Sequence, residues 1–244
     1  TYAGTFSDIT RIKQPEQQLR HLAHHDPLTD LPNRRMLIEQ LQRFLSSSTR
    51  TGHFGALVFI DLDNFKRIND TLGHYTGDLL LKSIGNRLNH LFRQCDVVAR
   101  FGGDEFVVLL TELGHNLNYA SSSVSEVGIK ILASLSAPHG IGEKEVSITG
   151  SLGVVMLAGE DTGHEELLKH ADIALYQAKA AGRNQMCFFD PVLQAETTAL
   201  AAMRALSPTR KGPRTFAPEP TMTLLPSVGW RLPTSLPVPP SVTP

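Results

Sequence analysis

The chain has 244 residues, 41% of them hydrophobic and 19% charged, which is enough apolar content for a packed core and excludes wholesale disorder. Twenty-three Lys and Arg against 24 Asp and Glu give a formal charge of −1, which argues against nucleic acid held by bulk charge. Cys95 and Cys187 are too few for a metal cluster or a disulfide framework, and no apolar run is long enough to cross a bilayer. The expectation is a cytoplasmic segment of a longer protein with no membrane contact of its own.

In chain order, Gly4 to Thr10 suggests a short strand, and Pro15 suits the first turn of a helix carrying Leu19 and Leu22 that Pro27 ends. His21, His24 and His25 crowd this stretch. With no cysteine or acidic set to complete them, they are expected to form a solvated helix face and not a metal site. Asn33 to Leu45 has helical spacing, and Ala56 to Ile60 is a continuous apolar run of the kind a central strand shows. Leu79 to Phe92 is again helical. Val97 to Phe101 and Phe106 to Leu110 flank Gly102-Gly103, a hairpin signal in which both glycines can take positive φ. Val124 to Leu135 reads as a helix, Val146 to Leu157 as one or two strands, Glu165 to Ala181 as a helix ending at Gly182, and Met186 to Phe189 as a last strand. The order predicts an α+β fold with a mostly antiparallel sheet of about five strands flanked by helices.

Ten of the 15 prolines fall between Pro208 and Pro244, a tail without hydrophobic periodicity that holds the lone Trp230 and reads as disordered.

Asp61 ends the buried run and is followed by Asp63 and Asn64, while Asp104 and Glu105 sit at the Gly-Gly hairpin. If hairpin and strand are neighbours, Asp61 and Asp104 meet at one sheet edge. Converging carboxylates there suit hard divalent cations, and two such ions can clamp a phosphoryl group. The plainer alternative is that Asp63 or Asn64 caps the helix from Phe65 to Asn69 and that the glycines only make a turn.

Phe101-Gly102-Gly103-Asp104-Glu105-Phe106 resembles the signature of the GGDEF family, the diguanylate cyclases. Four further motifs extend the resemblance over nearly all of residues 26–190. They are Asp26-Pro27-Leu28-Thr29 running on to Asn33-Arg34, Asp61 to Asp70, Gly73-His74 with Gly77-Asp78, and Asp172 to Asn184. The resemblance implies a palm-like cyclase fold that condenses two GTP into cyclic di-GMP and two pyrophosphates, with two Mg2+ (or Mn2+) ions per half-site. It implies Asp61, Asp104 and the carbonyl of Leu62 as metal ligands, and Glu105 beside the attacking 3′-hydroxyl with Gly102 and Gly103 making room. Asn69 and Asp78 match the guanine-reading pair, since a carboxylate accepts from both N1–H and N2–H₂. Phe65, Lys66, His74, Lys179 and Arg183 match further substrate contacts, Lys179 and Arg183 being i, i+4 if the helix continues that far. Arg93 and Asp96 match the RxxD site through which cyclic di-GMP inhibits many members. For each of these a bland reading stays open: Asn69 as a helix end, Asp78 as an N-cap, the basic residues as a solvated helix terminus, Arg93–Asp96 as a surface ion pair. Cys95 is expected to be a partly buried spacer.

The family also frames the flanks. Residues 1–25 look like the exit strand of a PAS sensor and its signalling helix, 26–192 the GGDEF domain, 193–206 a linker helix, and 207–244 the Pro-rich tail, either native or the frame-shifted remnant of a lost phosphodiesterase domain. Because each half-site holds one GTP, an active cyclase requires a homodimer. The alternatives are a non-catalytic module binding GTP or cyclic di-GMP, and a different nucleotidyl cyclase, which Asn69 and Asp78 disfavour.

Overall fold

The computed structural model describes residues 21–158 and 163–190. The expectations for Gly4 to Thr10, for the start of the Pro15 helix, and for residues 193–244 with Trp230 lie outside them. Residues 21–24 are helical and His25 bridges to Pro32, so the helix stops ahead of Pro27.

Twelve elements follow among the described residues: α1 (Arg34–Thr51), β1 (Gly55–Leu62), α2 (Phe65–Leu72), α3 (His74–Asn89), β2 (Val97–Gly102), β3 (Glu105–Leu110), α4 (Leu117–Ser136), β4 (His139–Ile141), β5 (Lys144–Val146), β6 (Gly150–Leu157), α5 (His164–Ala180) and β7 (Met186–Phe188). Five strands form one sheet in the order β2-β3-β1-β6-β7, antiparallel except for the β6–β7 pair. The predicted sheet is therefore present, with β1 at its centre.

Strand alternation divides the core between two faces. Ala56, Val58, Ile60 and Leu62 with Phe106 and Val108 pack against Leu80, Ile84 and Leu88 of α3 and Val124, Ile131 and Leu135 of α4. Leu57, Phe59, Val107 and Leu109 pack on the other side against Leu37, Leu41 and Phe44 of α1 and Leu167, Ala171 and Leu175 of α5. The apolar run at 56–60 is continuous because both faces are covered. Gly153 lets α5 lie close on β6, since a Cβ there would stand 2.2 Å from the Ala171 carbonyl oxygen.

Several boundaries differ from the sequence reading. α1 runs on to Thr51, the hydroxyls of Ser46, Thr49 and Thr51 turning back to carbonyls four residues earlier and so not breaking the helix. Its N-cap is Asn33, whose side chain accepts from the Met36 N–H, and Gly52 ends it at φ 70. The last helix caps at Ala181, with Gly182 (φ 123) one residue beyond. The β4–β5 hairpin was not expected from the sequence. Its strands have three residues each, too short for a period-2 signal. It is fixed by His139, which is fully buried: Nε2–H donates to the Leu135 carbonyl and Nδ1 accepts from the Ser83 hydroxyl. Burial first, and then the neighbouring Arg87 guanidinium, pull the His139 pKa below its ordinary value. Arg87 itself donates to the Ser134, Ala137 and Pro138 carbonyls.

Candidate active site

The central strand ends where the chemistry begins. Asp61 and Glu105 are register partners across β1 and β3, and the Leu62 N–H donates to the Asp104 carbonyl at 3.3 Å. Hairpin and strand are thus neighbours, the condition on which the sequence reading rested, and the three carboxyl-bearing residues share one sheet edge. Lys179, from the last turn of α5, places its Nζ 2.8 Å from Asp61 Oδ2. Burial raises the Asp61 pKa; Lys179 opposes the rise, while Asp104 and Asp63 add to it. Glu105 is raised as well, by burial first and then by the charges of Asp61, Asp104 and Asp172. A desolvated group of acids with one ammonium among them is electrostatically short of cations. Its all-oxygen donors are those a hard divalent ion takes, so the residues fit an ion such as the magnesium that the family resemblance implies.

The hairpin turn is held from outside. Arg100 donates Nη1–H to both Asp26 oxygens, at 3.0 and 3.1 Å, and its Nε and Nη2 donate to the Gly103 carbonyl. Burial opposes ionisation of Asp26, but bonds from Thr29 and the Arg100 guanidinium hold its pKa below the ordinary value. Of the two glycines only Gly103 has positive φ (50), contrary to the expectation for both, because Gly102 still belongs to β2. A Cβ at either position would meet nothing within 4 Å. The space over the turn is open, and the protein's own packing gives no reason for a bare backbone at Gly102.

Asp63 differs from its neighbour. It is buried, and accepts from the Thr149 and Ser151 hydroxyls at 2.8 Å each and from the Asn184 N–H at 3.1 Å. Neither Asp63 nor Asn64 caps α2 through its side chain; Asn64 occupies the N-cap position in the left-handed region without such a bond. Asn69 Oδ1 is buried and has no hydrogen-bond partner. It lies over Gly77, where a Cβ would come within 1.9 Å of it.

Residues 23–185 match the family described as diguanylate cyclase, GGDEF domain. The chain belongs to the GGDEF family. It is 37% identical over 186 residues to the bifunctional diguanylate cyclase/cyclic di-GMP phosphodiesterase MucR of Pseudomonas aeruginosa, covering 76% of this chain and 26% of that protein. It is 38% identical over 192 residues to the cyclic di-GMP phosphodiesterase NbdA of the same species, covering 78% and 24%. The chain therefore spans about a quarter of the length of these relatives. The crystal structure of the coiled coil and GGDEF domain of DgcB from Caulobacter crescentus, in complex with c-di-GMP, superposes with a TM-score of 0.66 at 27% identity, covering 74% of this chain and 93% of that one.

Other predicted residues of this GGDEF domain fall as follows. Lys66, His74, Asp78 and Arg183 are exposed. Asp78 lies inside α3, which begins at His74, so it is not an N-cap. Phe65 is buried in the core at 8% exposure. Lys179 and Arg183 do not share a helical face: α5 ends at Ala180, and Arg183 (φ 64) stands in the left-handed region. Arg93 is exposed, and the ion pairs among the described residues do not include it. Asp96 instead accepts from the Thr111 and Arg93 N–H groups, and both residues line a cavity of about 430 Å³. Cys95 is exposed, not partly buried.

Sequence reasoning missed the structural role of Asp63, the Asp26–Arg100–Gly103 strap and the charge of Asp172 beside Glu105. The one available signal was Asp172 standing seven residues before Lys179 on the same helix, two turns away on one face. No helix among the described residues is long and apolar enough to cross a membrane.

Proposed function

We propose that this GGDEF domain condenses two GTP molecules into cyclic di-GMP at a homodimer interface, each chain holding one GTP. The observation that carries this reading is the crowding of Asp61, Asp104 and Glu105 at one sheet edge beneath an open Gly102-Gly103 turn. The 3′-oxygen of one GTP attacks the α-phosphorus of the other, the bond to the pyrophosphate oxygen breaks, and the exchange repeated in the opposite sense closes the ring.

Asp61 and Asp104, with the Leu62 carbonyl, would hold two magnesium ions, which lower the pKa of the 3′-hydroxyl and offset charge on the α-phosphate when bound. Glu105, with its raised pKa, is suited to accept the 3′-hydroxyl proton. Lys179 sits on Asp61 and is placed to move onto phosphate oxygens, with Lys66 and Arg183 as further cationic contacts. Asn69 Oδ1 supplies an unpaired acceptor for a guanine N–H, and Asp78 accepts from N1–H and N2–H₂. Adenine, with no N1–H and no 2-amino group, would leave the Asp78 carboxylate unpaired. His74 lines the same end of α3. Arg93 and Asp96, which line one cavity, are suited to hold cyclic di-GMP for product inhibition, the guanidinium on guanine acceptors and the carboxylate on its N–H groups. We also keep the sequence division, with residues 26–192 as the catalytic unit.

The test is incubation with GTP and magnesium across a range of protein concentrations, with products identified by mass. Cyclic di-GMP should form faster than linearly with protein concentration, and an Asp104→Ala, Glu105→Ala chain should form none. The similarity to NbdA, named for phosphodiesterase activity, supports a second reading, a GTP- or cyclic di-GMP-binding regulatory module. Tight nucleotide binding without product, even after dimerisation is enforced by a fused coiled coil, would select it.

A further inference from the structure

We propose that His21, His25 and Asp30 form a binding site for a divalent transition metal of the zinc class, clipping the end of the leading helix to the first turn of the domain. The sequence offered the histidines no acidic partner, but the fold supplies one. His21 and His25 are four residues apart and share one face, their rings stacked at 4.1 Å. The chain then reverses: the Asp30 N–H donates to the Asp26 carbonyl, and the Asp26 N–H to the Leu31 carbonyl. This returns Asp30 to the histidines, with Oδ1 2.6 Å from His21 Nε2. Ligand atoms of all three residues lie within 4.8 Å of one another.

The ring nitrogens are prepared for this role. His25 Nδ1 lies 2.9 Å from the Asp30 carbonyl, and because a carbonyl can only accept, Nδ1 carries the proton. Nε2 is then the ring atom left to bind a cation, and a ring held by a hydrogen bond from its other nitrogen is the usual arrangement of a metal-bound histidine. At His21 a cation would replace the proton now shared with the Asp30 carboxylate. Tetrahedral zinc, with bonds of about 2.0–2.2 Å, separates its ligand atoms by roughly 3.3 Å, so the His21–Asp30 pair must open slightly and the others close. His21 and Asp30 are half and four-fifths exposed, so that adjustment is cheap and water can complete the coordination. Two imidazoles with one carboxylate favour zinc-class ions over magnesium or calcium. His24 is outside the set, with Nε2 3.5 Å from Glu39 Oε2.

The location gives an ion leverage. It would fasten residues 21–24 to the turn whose Asp26 grips Arg100, and through Arg100 the Gly103 carbonyl. Asp30 also stands at φ 62, a backbone that favours glycine, so Asp30→Gly removes the ligand without opposing the turn.

The experiment titrates the full chain with zinc(II) against a chromogenic chelator, and with cobalt(II) read by visible absorption. One ion per chain should bind with nitrogen ligation, both in the parent and in an Asp104→Asn chain that weakens the separate carboxylate edge. His21→Asn, His25→Asn and Asp30→Gly should each weaken binding about tenfold or more, and His24→Asn should not. Absence of binding at micromolar zinc, binding unchanged by Asp30→Gly, or binding lost only with Asp104 would overturn the site. Asp30→Gly keeps a residue suited to the turn, so loss of binding there cannot be ascribed to misfolding if its Tm matches the parent's.

Discussion

Asp61 and Asp63 stand two residues apart on the same stretch of chain, and their surroundings are opposite. Asp63 is buried and saturated, accepting from two hydroxyls and a backbone N–H that tie β1 to residues 149–151 and to the loop at Asn184. Asp61 faces acids, with one ammonium beside it, and its pKa is raised. The first carboxylate is a structural fastening whose polar needs are met within the chain. The second has one ammonium of its own chain, Lys179, set against several neighbouring acids. In a folded protein nearly every buried polar group finds a partner. Asn69 Oδ1, buried without a partner, is an exception among the described residues, and at Asp61 and Glu105 burial and neighbouring acids oppose the charge; these are the places where an outside ligand is expected.

The sharpest way to break this contrast is to neutralise each carboxylate. Asp61→Asn should lower cyclic di-GMP formation about 100-fold or more, the range seen when a group stabilising transition-state charge is removed. Its unfolding midpoint in urea should hardly move, since the change relieves a desolvated charge among like charges. Asp63→Ala should do the reverse in kind. It strips the acceptor from the buried Ser151 hydroxyl and from two further donors, so stability should fall by roughly 2–4 kcal/mol, measured by urea unfolding. If the two substitutions gave the same pattern of activity and stability, the distinction between fastening and site would be wrong.

A smaller effect tests Asn69. Gly77→Ala puts a Cβ 1.9 Å from Asn69 Oδ1, so the amide must turn away. KM for GTP should rise about tenfold, consistent with loss of one good base contact, while overpacking costs about 1–3 kcal/mol in stability. An unchanged KM would remove Asn69 from guanine recognition.

The scaffold was more legible than the site's electrostatics, for a physical reason. The run at 56–60, the Gly-Gly hairpin and the helix ending near Gly182 are local patterns set by periodicity and backbone freedom. The strand order that brings Asp61 opposite Glu105 became visible only as a conditional, if hairpin and strand are neighbours. The fastening role of Asp63 could not be read at all, because its partners Thr149, Ser151 and Asn184 lie 86 to 121 residues away. The same holds for Asp26 and Arg100, 74 residues apart. Asp30 shows the limit at short range. Nine residues from His21, it reaches the histidines only because the chain doubles back through Asp26 to Thr29. The motifs stood for these distances without explaining them, and they name Phe65 as a substrate contact without showing that it is buried in the core.

The smallest predicted effect concerns the scaffold alone. His139 is buried and neutral, its ring satisfied by Ser83 and Leu135 and facing Arg87, and its pKa in the folded chain is depressed. The unfolded chain, with an ordinary pKa near 6.5, then binds the proton more readily than the folded one. Stability from this group is fully present above about pH 6.5 and is lost as pH falls below it, by at most about 1.4 kcal/mol per pH unit. Urea unfolding of the parent at pH 7.5 and 5.5 should show this loss, and His139→Gln should be less stable at pH 7.5 yet show a shallower decline. Because His139 serves the β4–β5 hairpin and not the carboxylate edge, the same substitution should leave the pH dependence of cyclic di-GMP formation unchanged. A shift in that rate profile would mean that fastening and site are coupled through α3, and the separation drawn from Asp61 and Asp63 would not extend to the rest of the domain.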